Sequence, residues 1–368
     1  MTSTELTATE PDVVTRRSPR RFRRATLGKA GRSYVFTFIA VVILAAFLSP
    51  LVRSFSLSLK TPQQISSVDQ PIYPASPASF TYKGRDYDVY NVPIDGTTKQ
   101  LALIKKGRDS SSFADPANAD PNAALITWQG SWRTLQPAWQ LDPHWENYVN
   151  VWNEINYPRL LFNTVVIALI GMIGTVVSCV IVAYGFARFR FPGRNVLFVL
   201  VIATVFLPAA VTIIPTYTIF SKIGWVGTWL PLLVPAFFAN AYDVFLLRQY
   251  LLTIPREMDE AAAIDGAGPF RTLVSVILPQ AWPVVIAVAI FHFVYSWNDF
   301  FGPIIYLSSN PDLQTVAVGL AKFSGARISQ DPGLIQAGTI ITLIVPVLIF
   351  IVFQRVFVRG IVITGVER

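Results

Sequence analysis

The stretch at residues 160–187 contains no charged side chain and reads LLFNTVVIALIGMIGTVVSCVIVAYGFA. A helix of about 20 apolar residues crosses the ~30 Å hydrocarbon core of a bilayer with every backbone N–H and C=O satisfied inside the segment. The stretch is long enough for such a helix. We therefore predict a membrane-spanning helix here, and ask how often the pattern recurs along the chain.

Five further stretches repeat the pattern, at residues 34–52, 195–221, 224–251, 280–307 and 334–353. The chain is 52% hydrophobic and only 14% charged, against about 25% charged in an ordinary soluble domain, which excludes a wholly soluble enzyme. The first stretch could be a signal-peptide core, but it is long for that role and no A-x-A-like cleavage site follows it. We expect an all-α polytopic membrane protein with six transmembrane helices.

Basic residues predict how these helices are threaded, because Lys and Arg of short loops stay on the cytoplasmic side. One cluster lies in the N-terminal tail: Arg16, Arg17, Arg20, Arg21, Arg23, Arg24, Lys29 and Arg32. With that tail inside, three later clusters fall on the same side: Arg188, Arg190 and Arg194; Arg248 and Arg256; Arg355, Arg359 and Arg368. Both termini are therefore expected in the cytoplasm. The net charge of +8 is explained by topology, and we expect no nucleic-acid partner.

Residues 53–159 then form an extracytoplasmic insertion. Its middle, residues 80–104, intersperses polar with aliphatic or aromatic residues around an Asp95-Gly96 turn, which predicts a small β hairpin with Pro93 confining the first strand to an edge. Residues 115–124 are typical of a loop. Tryptophans recur at Trp128, Trp132, Trp139, Trp145 and Trp152. They could stack on sugars, but an interfacial aromatic belt plus packing is the simpler interpretation.

A polar segment follows the fourth apolar stretch. Pro255 suits a first helical position, acidic residues occupy the early turns, and Gly266 can end the helix in the left-handed conformation. The spacing places Met258, Ala261 and Ala262 close together, which predicts a small apolar face that another protein can approach. Pro269 can open a second short helix, and Leu278-Pro279 is expected to mark a break before the fifth span.

The spacing within this segment carries a family resemblance. Glu260-Ala261-Ala262, then Gly266, then Val276-x-Leu278-Pro279 resembles the EAA signature of the permease subunits of bacterial ABC importers, with Val276 where isoleucine is usual. Residues 163–164, 183–188, 245–249, 297–300 and 354–360 are similar to the carbohydrate branch, whose type is the maltose-importer inner-membrane permease. The resemblance covers about residue 145 to the C-terminus and, more weakly, the first span. The insertion departs from it.

The resemblance implies the type I ABC importer permease fold and half of a translocation path for a sugar or oligosaccharide. It implies a bacterial inner-membrane location, a second permease subunit, two ATPase subunits and an extracytoplasmic solute-binding protein. The helix at residues 255–266 would dock on an ATPase, through Met258, Glu260, Ala261, Ala262, Asp265 and Gly266, with Leu278 and Pro279 in support. No G-x-x-x-x-G-K-[ST] motif occurs, so the partner would use the ATP and Mg²⁺, and this chain is expected to bind no cofactor and to be no enzyme.

The domain boundaries follow from these assignments: a basic cytoplasmic tail at 1–33, the first helix at 34–52, the insertion at 53–159, a permease core at 160–358 and a C-terminal tail at 359–368. This tail resembles the Gly-rich end of the family, which can reach the ATPase interface. A purely topogenic basic end explains it equally well.

Polar residues inside spans usually face a cavity or a partner, so they are the candidates for the substrate path. They are Asn240, Asp243, His292, Tyr295, Trp297, Asn298 and Asp299. Amides, carboxylates and aromatic faces are what binds uncharged polyols. The alternatives are a hydrogen bond to a neighbouring helix for His292, water near the outer end for Asn298 and Asp299, and a basic group of the other subunit for Asp243.

Other functions remain open at the level of sequence. The coupling signature is shared by importers of glycerol phosphates, polyamines and other small polar solutes. A polytopic enzyme would use Asp243, His292 and Asp299, but no motif pairs a nucleophile with a base. A proton-coupled carrier would not need a docking helix. One cysteine, Cys179, and two histidines make disulfide, redox and zinc chemistry unpromising.

Overall fold

Long apolar stretches become long helices in the computed structural model of this chain, which describes residues 22–67, 70–94, 96–118, 124–327 and 331–362. The chain divides into two compact units at residues 53 and 54. The helices up to the middle of the chain are α1 (Phe22–Ser58), α2 (Pro62–Ser66), α3 (Glu146–Glu154), α4 (Tyr157–Arg188), α5 (Arg194–Ala203) and α6 (Ala209–Lys222). Those that follow are α7 (Leu230–Leu233), α8 (Ala241–Thr253), α9 (Glu257–Ile264), α10 (Pro269–Thr272), α11 (Leu278–Asn298), α12 (Phe301–Tyr306), α13 (Val316–Arg327) and α14 (Pro332–Val362).

Within the described residues, five helical segments are long and apolar enough to cross a membrane, or six if one bent pair counts as a span. The five are Ser33–Ser58, Tyr157–Arg188, Leu230–Thr253, Pro269–Asn298 and Pro332–Gln354. We number them spans one, two, four, five and six. The expected all-α polytopic fold is confirmed, with span boundaries that move by a few residues at most ends and by more in span five.

Span three is the bent pair, Arg194–Phe206 and Val211–Lys222, whose two halves meet at 99°. The predicted third span, residues 195–221, is therefore present as two helices with a sharp bend between them. Pro208 lacks an amide hydrogen, and Leu207 before it adopts extended angles (φ −77°, ψ 116°), as residues preceding proline prefer. The helix ends there for that reason.

Span five begins earlier than expected, because no break occurs at Leu278-Pro279. The chain stays helical from Pro269 through a π-helical turn at Leu273–Ile277 into α11. A π turn takes up an extra residue, and it lies just ahead of the proline whose missing N–H would disturb a regular helix. The span ends at Asn298, so residues 299–307 form a turn and the separate helix α12.

Span two is the central helix of the second unit. Its small residues lie buried against spans four and five, where Cys179, Ala183 and Ala187 have no exposed surface. Leu247 and Leu251 of span four and Ile277 and Val288 from span five complete that core. At the other end of span two, Asn163 donates to the carbonyl oxygens of Asp312 (2.8 Å) and Gln314 (2.9 Å).

The insertion contains the predicted β structure. Its strands are β1 (Ala75–Pro77), β2 (Ser79–Tyr82), β3 (Arg85–Ile94), β4 (Thr97–Lys105), β5 (Ser110–Ala114), β6 (Ile126–Gln129), β7 (Gln136–Pro137) and β8 (Trp139–Leu141). The described strands form an antiparallel sheet in the order β2-β3-β4-β5-β6, with β7 beside β3, and a separate β1-β8 pair. The β3-β4 hairpin turns where Ile94 faces Thr97, as predicted.

The expectation that Pro93 makes β3 an edge strand is wrong for most of the strand. On the side away from β4, β2 pairs with residues 85–88 and β7 pairs with Tyr90 and Asn91, whereas residues 92–94 pair with β4 alone. Pro93 lies in that uncovered part, opposite Thr98. A proline removes one ladder hydrogen bond, which costs nothing where no partner strand is present.

Trp139 lies on β8, and the other four tryptophans of the insertion divide into two groups. Trp128 and Trp132 pack onto the buried sheet core of Val92, Leu101 and Phe113. Trp145 and Trp152 instead lie exposed on and beside α3, next to the start of span two. The distribution supports packing for the first group and suits a membrane-interface position for the second.

Some predictions concern residues outside the described ranges. These are the tail up to residue 21, including Arg16, Arg17, Arg20 and Arg21; Asp95 of the turn; residues 119–123 of the expected loop at 115–124; and the end of the C-terminal tail from residue 363.

Candidate functional site

The short helix α9 ends in a hydrogen-bonded turn at Gly266. The amide of Gly266 donates to the carbonyl of Ala263 (3.0 Å), and the amide of Ala267 donates to the carbonyl of Ala262 (2.9 Å). This is the Schellman arrangement, and it requires Gly266 at φ +77°. Glycine is therefore needed here for its conformation, as the sequence predicted.

A buried ion pair attaches α9 to the end of span two. Arg188 Nε lies 3.1 Å from Asp259 Oδ2, and the two side chains are 7% and 23% exposed. Arg188 Nη2 also donates to the carbonyl of Ile254 (3.0 Å), just before α9. A cavity of about 330 Å³ lies beside the pair, lined by Tyr184, Glu260, Thr272 and others. The helix is thus fixed to span two at this point.

The apolar face predicted from Met258, Ala261 and Ala262 is not the exposed one. Ala262 is buried, and Met258 packs against the core shared with Leu278. The side chain of Gln280 donates to Met258 Sδ (3.0 Å). The spacing correctly placed Met258 and Ala262 together, but that face packs against this chain's own span five.

The outward surface of this region is formed by other residues. Glu260, Ala261, Asp265 and Gly266 are exposed, as is Pro279. Ile264 and Phe270 are 87% and 74% exposed, and neither was singled out from the sequence. Two large apolar side chains beside a patch of carboxylates make a surface suited to contact with another protein. We name Glu260, Ala261, Ile264 and Phe270 the α9 surface.

A second candidate site is a cavity of about 690 Å³ between spans two, three, four and five. Five of the seven predicted substrate-path residues line it. They are Asn240, Asp243, His292, Tyr295 and Asp299. The fold therefore brings most of the polar residues that were singled out from the spans into one cavity.

The cavity lies where span four is unwound. After α7 the chain forms a single 3₁₀ turn (Val234–Phe237) and is extended at Asn240, before α8 starts. Asn240 caps α8: its side-chain oxygen accepts from the amide of Asp243 (2.9 Å), and its Nδ2 donates to Asp243 Oδ2 (2.5 Å). Irregular backbone at membrane depth is tolerated where it lines a cavity, and this geometry fits that rule.

Side chains of span two hold the unwound backbone. Thr175 and Ser178 both lie 3.3 Å from the carbonyl oxygen of Ala236 and can donate to it, and the amide of Ala239 donates to Ser178 Oγ (3.1 Å). His292 Nδ1 lies 3.0 Å from Thr175 Oγ1. His292 is thereby tied to span two, as well as lining the cavity.

Two predicted substrate-path residues do not line the cavity. Trp297 is 3% exposed and stacks on Phe293 in a cluster with Ala168 of span two. Asn298 donates its Nδ2 back to the carbonyl of Val294 (2.8 Å). Trp297 is thus buried within the chain, the Asn298 amide bonds to its own helix, and neither residue is part of the cavity lining.

Several lining residues were missed from the sequence: Thr175, Thr212, Thr216, Tyr242 and Tyr306. Thr212 and Thr216 are four residues apart, a spacing that places both on one helical face and was available as a signal. Tyr306 lies on α12, whose position depends on the turn at Asp299, where the carboxylate accepts from the amide of Gly302 (3.1 Å). Only the folded chain reveals that contribution.

Metal binding has no basis in the described part of the chain, where no three His, Cys, Asp or Glu side chains group together in a way that could hold an ion.

The comparisons with known proteins identify the family. Residues 176–363 match the family described as "Binding-protein-dependent transport system inner membrane component". This chain belongs to that family. The matched region contains spans three to six, α9 and every lining residue of the cavity except Thr175.

Two relatives are about one-third identical to this chain over the residues that align. The osmoprotective compounds uptake permease protein GgtD of Synechocystis is 33% identical over 222 residues, which is 60% of this chain and 74% of the relative. The sn-glycerol-3-phosphate transport system permease protein UgpE of Rhizobium meliloti is 35% identical over 209 residues, 56% of this chain and 73% of the relative. Both are named as transport permeases.

A solved structure has the same fold. It is a chain of a bacterial ABC transporter involved in the import of the acidic polysaccharide alginate, with a TM-score of 0.61 and 17% identity. The match covers 93% of this chain and 99% of that one. The type I ABC importer permease fold expected from the sequence is thereby confirmed.

Proposed function

We propose that this chain is one half of the translocation path of an ATP-driven importer, and that the α9 surface receives an ATPase subunit. A second permease subunit would complete the path, and a solute-binding protein would deliver a sugar or another small polar solute. ATP hydrolysis and its Mg²⁺ belong to the ATPase pair. Membership of a family of transport components argues against a polytopic enzyme built on Asp243, His292 and Asp299.

The observation that carries the proposal is the way α9 is held. Its inner face is fixed to span two by Arg188 and Asp259, while its outer surface presents Ile264 and Phe270 without cover. A rigidly attached helix with an exposed apolar surface can transmit the movement of a docked partner to the spans. The proposed role extends to Met258, Ala262, Leu278 and Pro279 as the support that orients this surface.

The proposed orientation follows the basic loops: α9 and both termini in the cytoplasm, the insertion outside. Arg188 donates to the carbonyl of Ile254 just before α9, Arg256 directly precedes α9, and Arg248 donates to the carbonyl of Phe186 at the same end of span two. Solute would then pass from the insertion side through the 690 Å³ cavity to the α9 side. The names of the relatives favour two cargo classes, osmoprotective compounds and sn-glycerol-3-phosphate.

Purification of the tagged chain from membranes that also contain its transport partners tests the proposal. An ATPase with a phosphate-binding loop is expected to copurify in a fixed ratio, and Glu260→Lys is expected to release it by placing the wrong charge on the α9 surface. Glu146→Lys, an exposed charge reversal on α3, is the matched control and should leave the complex intact. A chain that transports solute with no ATPase bound would overturn the proposal.

A further inference from the structure

The cavity has two acidic residues and no permanently cationic one. Asp243 and Asp299 contribute carboxylates, His292 contributes an imidazole whose Nδ1 lies 3.0 Å from Thr175 Oγ1, and none of the described lining residues is a lysine or an arginine. An anionic solute must give up its hydration on entering such a site, and proteins replace that hydration with cationic side chains, above all arginine for phosphate and carboxylate. A carboxyl group is either negative or neutral, so neither Asp243 nor Asp299 can supply a positive charge. This half of the path therefore offers an anion no lysine or arginine to replace its hydration.

The one backbone feature that could attract an anion is already used. The N-terminus of a helix carries positive partial charge, and α8 begins at the cavity. Asp243 lies in the first turn of that helix, and its own amide bonds to the Asn240 cap. A phosphate approaching this helix end would therefore meet a carboxylate of the same sign in the first turn.

The rest of the lining suits hydroxyl groups and sugar rings. Tyr242 and Tyr295 are 57% and 71% exposed, so their ring faces are open to a solute. Thr216 adds a hydroxyl group, and Asp243 Oδ1 accepts no hydrogen bond from the described chain. Open aromatic faces beside hydrogen-bond acceptors are the usual equipment for binding uncharged polyols.

The volume of the cavity suits a small molecule. About 690 Å³ lies in the range of small-molecule sites, roughly 300–1,000 Å³.

From these observations we infer that the solute is a small, uncharged polyhydroxylated molecule, and that Asp243 and Asp299 bind its hydroxyl groups while disfavouring phosphorylated and uronic-acid sugars. The inference rests on the proposed function and narrows its cargo: it selects against glycerol phosphate and against acidic saccharides.

Uptake from a defined mixture tests it. The transporter, with its ATPase and solute-binding protein, is placed in proteoliposomes supplied with maltose, trehalose, sorbitol, sn-glycerol-3-phosphate and glucuronate. The vesicle contents are then read by mass spectrometry. At least one neutral solute is expected to accumulate about ten-fold or more above either anion, the discrimination expected when a charged group is left unpaired. Accumulation of an anion at an equal rate, or of no neutral solute by an assembled complex, would overturn the inference.

Variants separate binding from folding. Asp299→Asn should raise the solute concentration for half-maximal uptake about ten-fold, with complex assembly unchanged, and Asp243→Asn should do the same. Asp312→Asn is the control, because that carboxylate is exposed and lies outside the cavity lining. An unchanged half-maximal concentration in both cavity variants contradicts the inference. Loss of the ATPase from the wild-type complex would instead refute the proposed function.

Discussion

The backbone conformation of Gly266 ends α9, the helix proposed to couple the ATPase to the spans. Its φ of +77° allows two amides to close the end of α9, and a side chain added there would touch nothing within 4 Å. The requirement for glycine is thus purely a backbone one. Asparagine visits this conformation more easily than other residues with side chains, and β-branched residues least.

We predict that Gly266→Ala destabilises the end of α9 by about 1 kcal/mol, and Gly266→Asn by less. Solute moved per ATP hydrolysed should fall in the order Gly, Asn, Ala. Gly268→Ala is the matched control, because Gly268 has φ −71° and an added side chain there also meets nothing. Equal coupling in Gly266→Ala and Gly268→Ala would show that the turn does not matter.

For single residues, the sequence predicted the backbone conformation well but predicted less well which side of a helix faces its neighbours. Gly266 was predicted as a helix end from its type and spacing alone, since few residues can do that task. Met258 and Ala262 were assigned to a docking face, although they pack inward. Periodicity tells which residues share a face, but the side to which that face points is decided by the neighbouring spans.

Among the elements, the connection between α9 and span two is the one with a mechanical consequence. Arg188 ends span two, Asp259 lies in the first turn of α9, and the buried contact between them leaves each charge dependent on the other. Breaking a buried pair by removing one partner typically costs about 3–5 kcal/mol, because an uncompensated charge remains. The partial exposure of Asp259 places the expected cost at the lower end.

We predict that Arg188→Gln and Asp259→Asn each loosen α9, so that ATP hydrolysis continues while uptake falls by about ten-fold or more. Hydrogen exchange of the α9 amides should rise in both variants. Arg256→Gln serves as the control, since its basic side chain lines the same small cavity but is exposed. Unaltered exchange in α9 after loss of either partner would contradict the role of the pair.

The bends within spans three and four could be predicted in part. Pro208 was visible in the sequence and was passed over, although it explains why α5 and α6 do not form one straight helix. The unwinding at Asn240 is different, because it is stable only through Thr175, Ser178 and the cap on α8. No local pattern reports such cross-span support, and the cavity it opens was therefore seen only in the fold.

All proposed roles depend on the membrane topology of the whole chain, that is, on which segments lie on each side of the bilayer. The predicted topology places α9 inside and the β insertion outside. Cys179 is the chain's single cysteine and is buried, so introduced thiols can be labelled against a silent background.

We predict that a membrane-impermeant maleimide labels Lys99→Cys, on β4, in intact cells stripped of their outer envelope. Glu260→Cys, on the α9 surface, should be labelled only after the membrane is opened. The unsubstituted chain is the control and should stay unlabelled under both conditions. Labelling of Glu260→Cys in sealed cells would reverse the topology.

The fold class and the family were predictable because six apolar runs and one spaced motif are local features of the chain. The β insertion was half predictable: the β3-β4 hairpin follows from alternation and a turn, whereas the pairing of β7 with β3 and of β1 with β8 joins distant segments. The residues of the cavity were found by their rarity in spans, except those that are unremarkable by type, such as Thr212 and Thr216.

The most direct test of the account is ATP-driven uptake by the complete transporter in sealed proteoliposomes. Uptake is predicted to require ATP on the α9 side and the solute-binding protein on the insertion side. Glu260→Lys should abolish uptake at equal abundance of the chain, while Glu146→Lys should not. Uptake that proceeds without the ATPase subunit, or that is equal in wild type and Glu260→Lys, would contradict the claim that this chain is an importer half driven through α9.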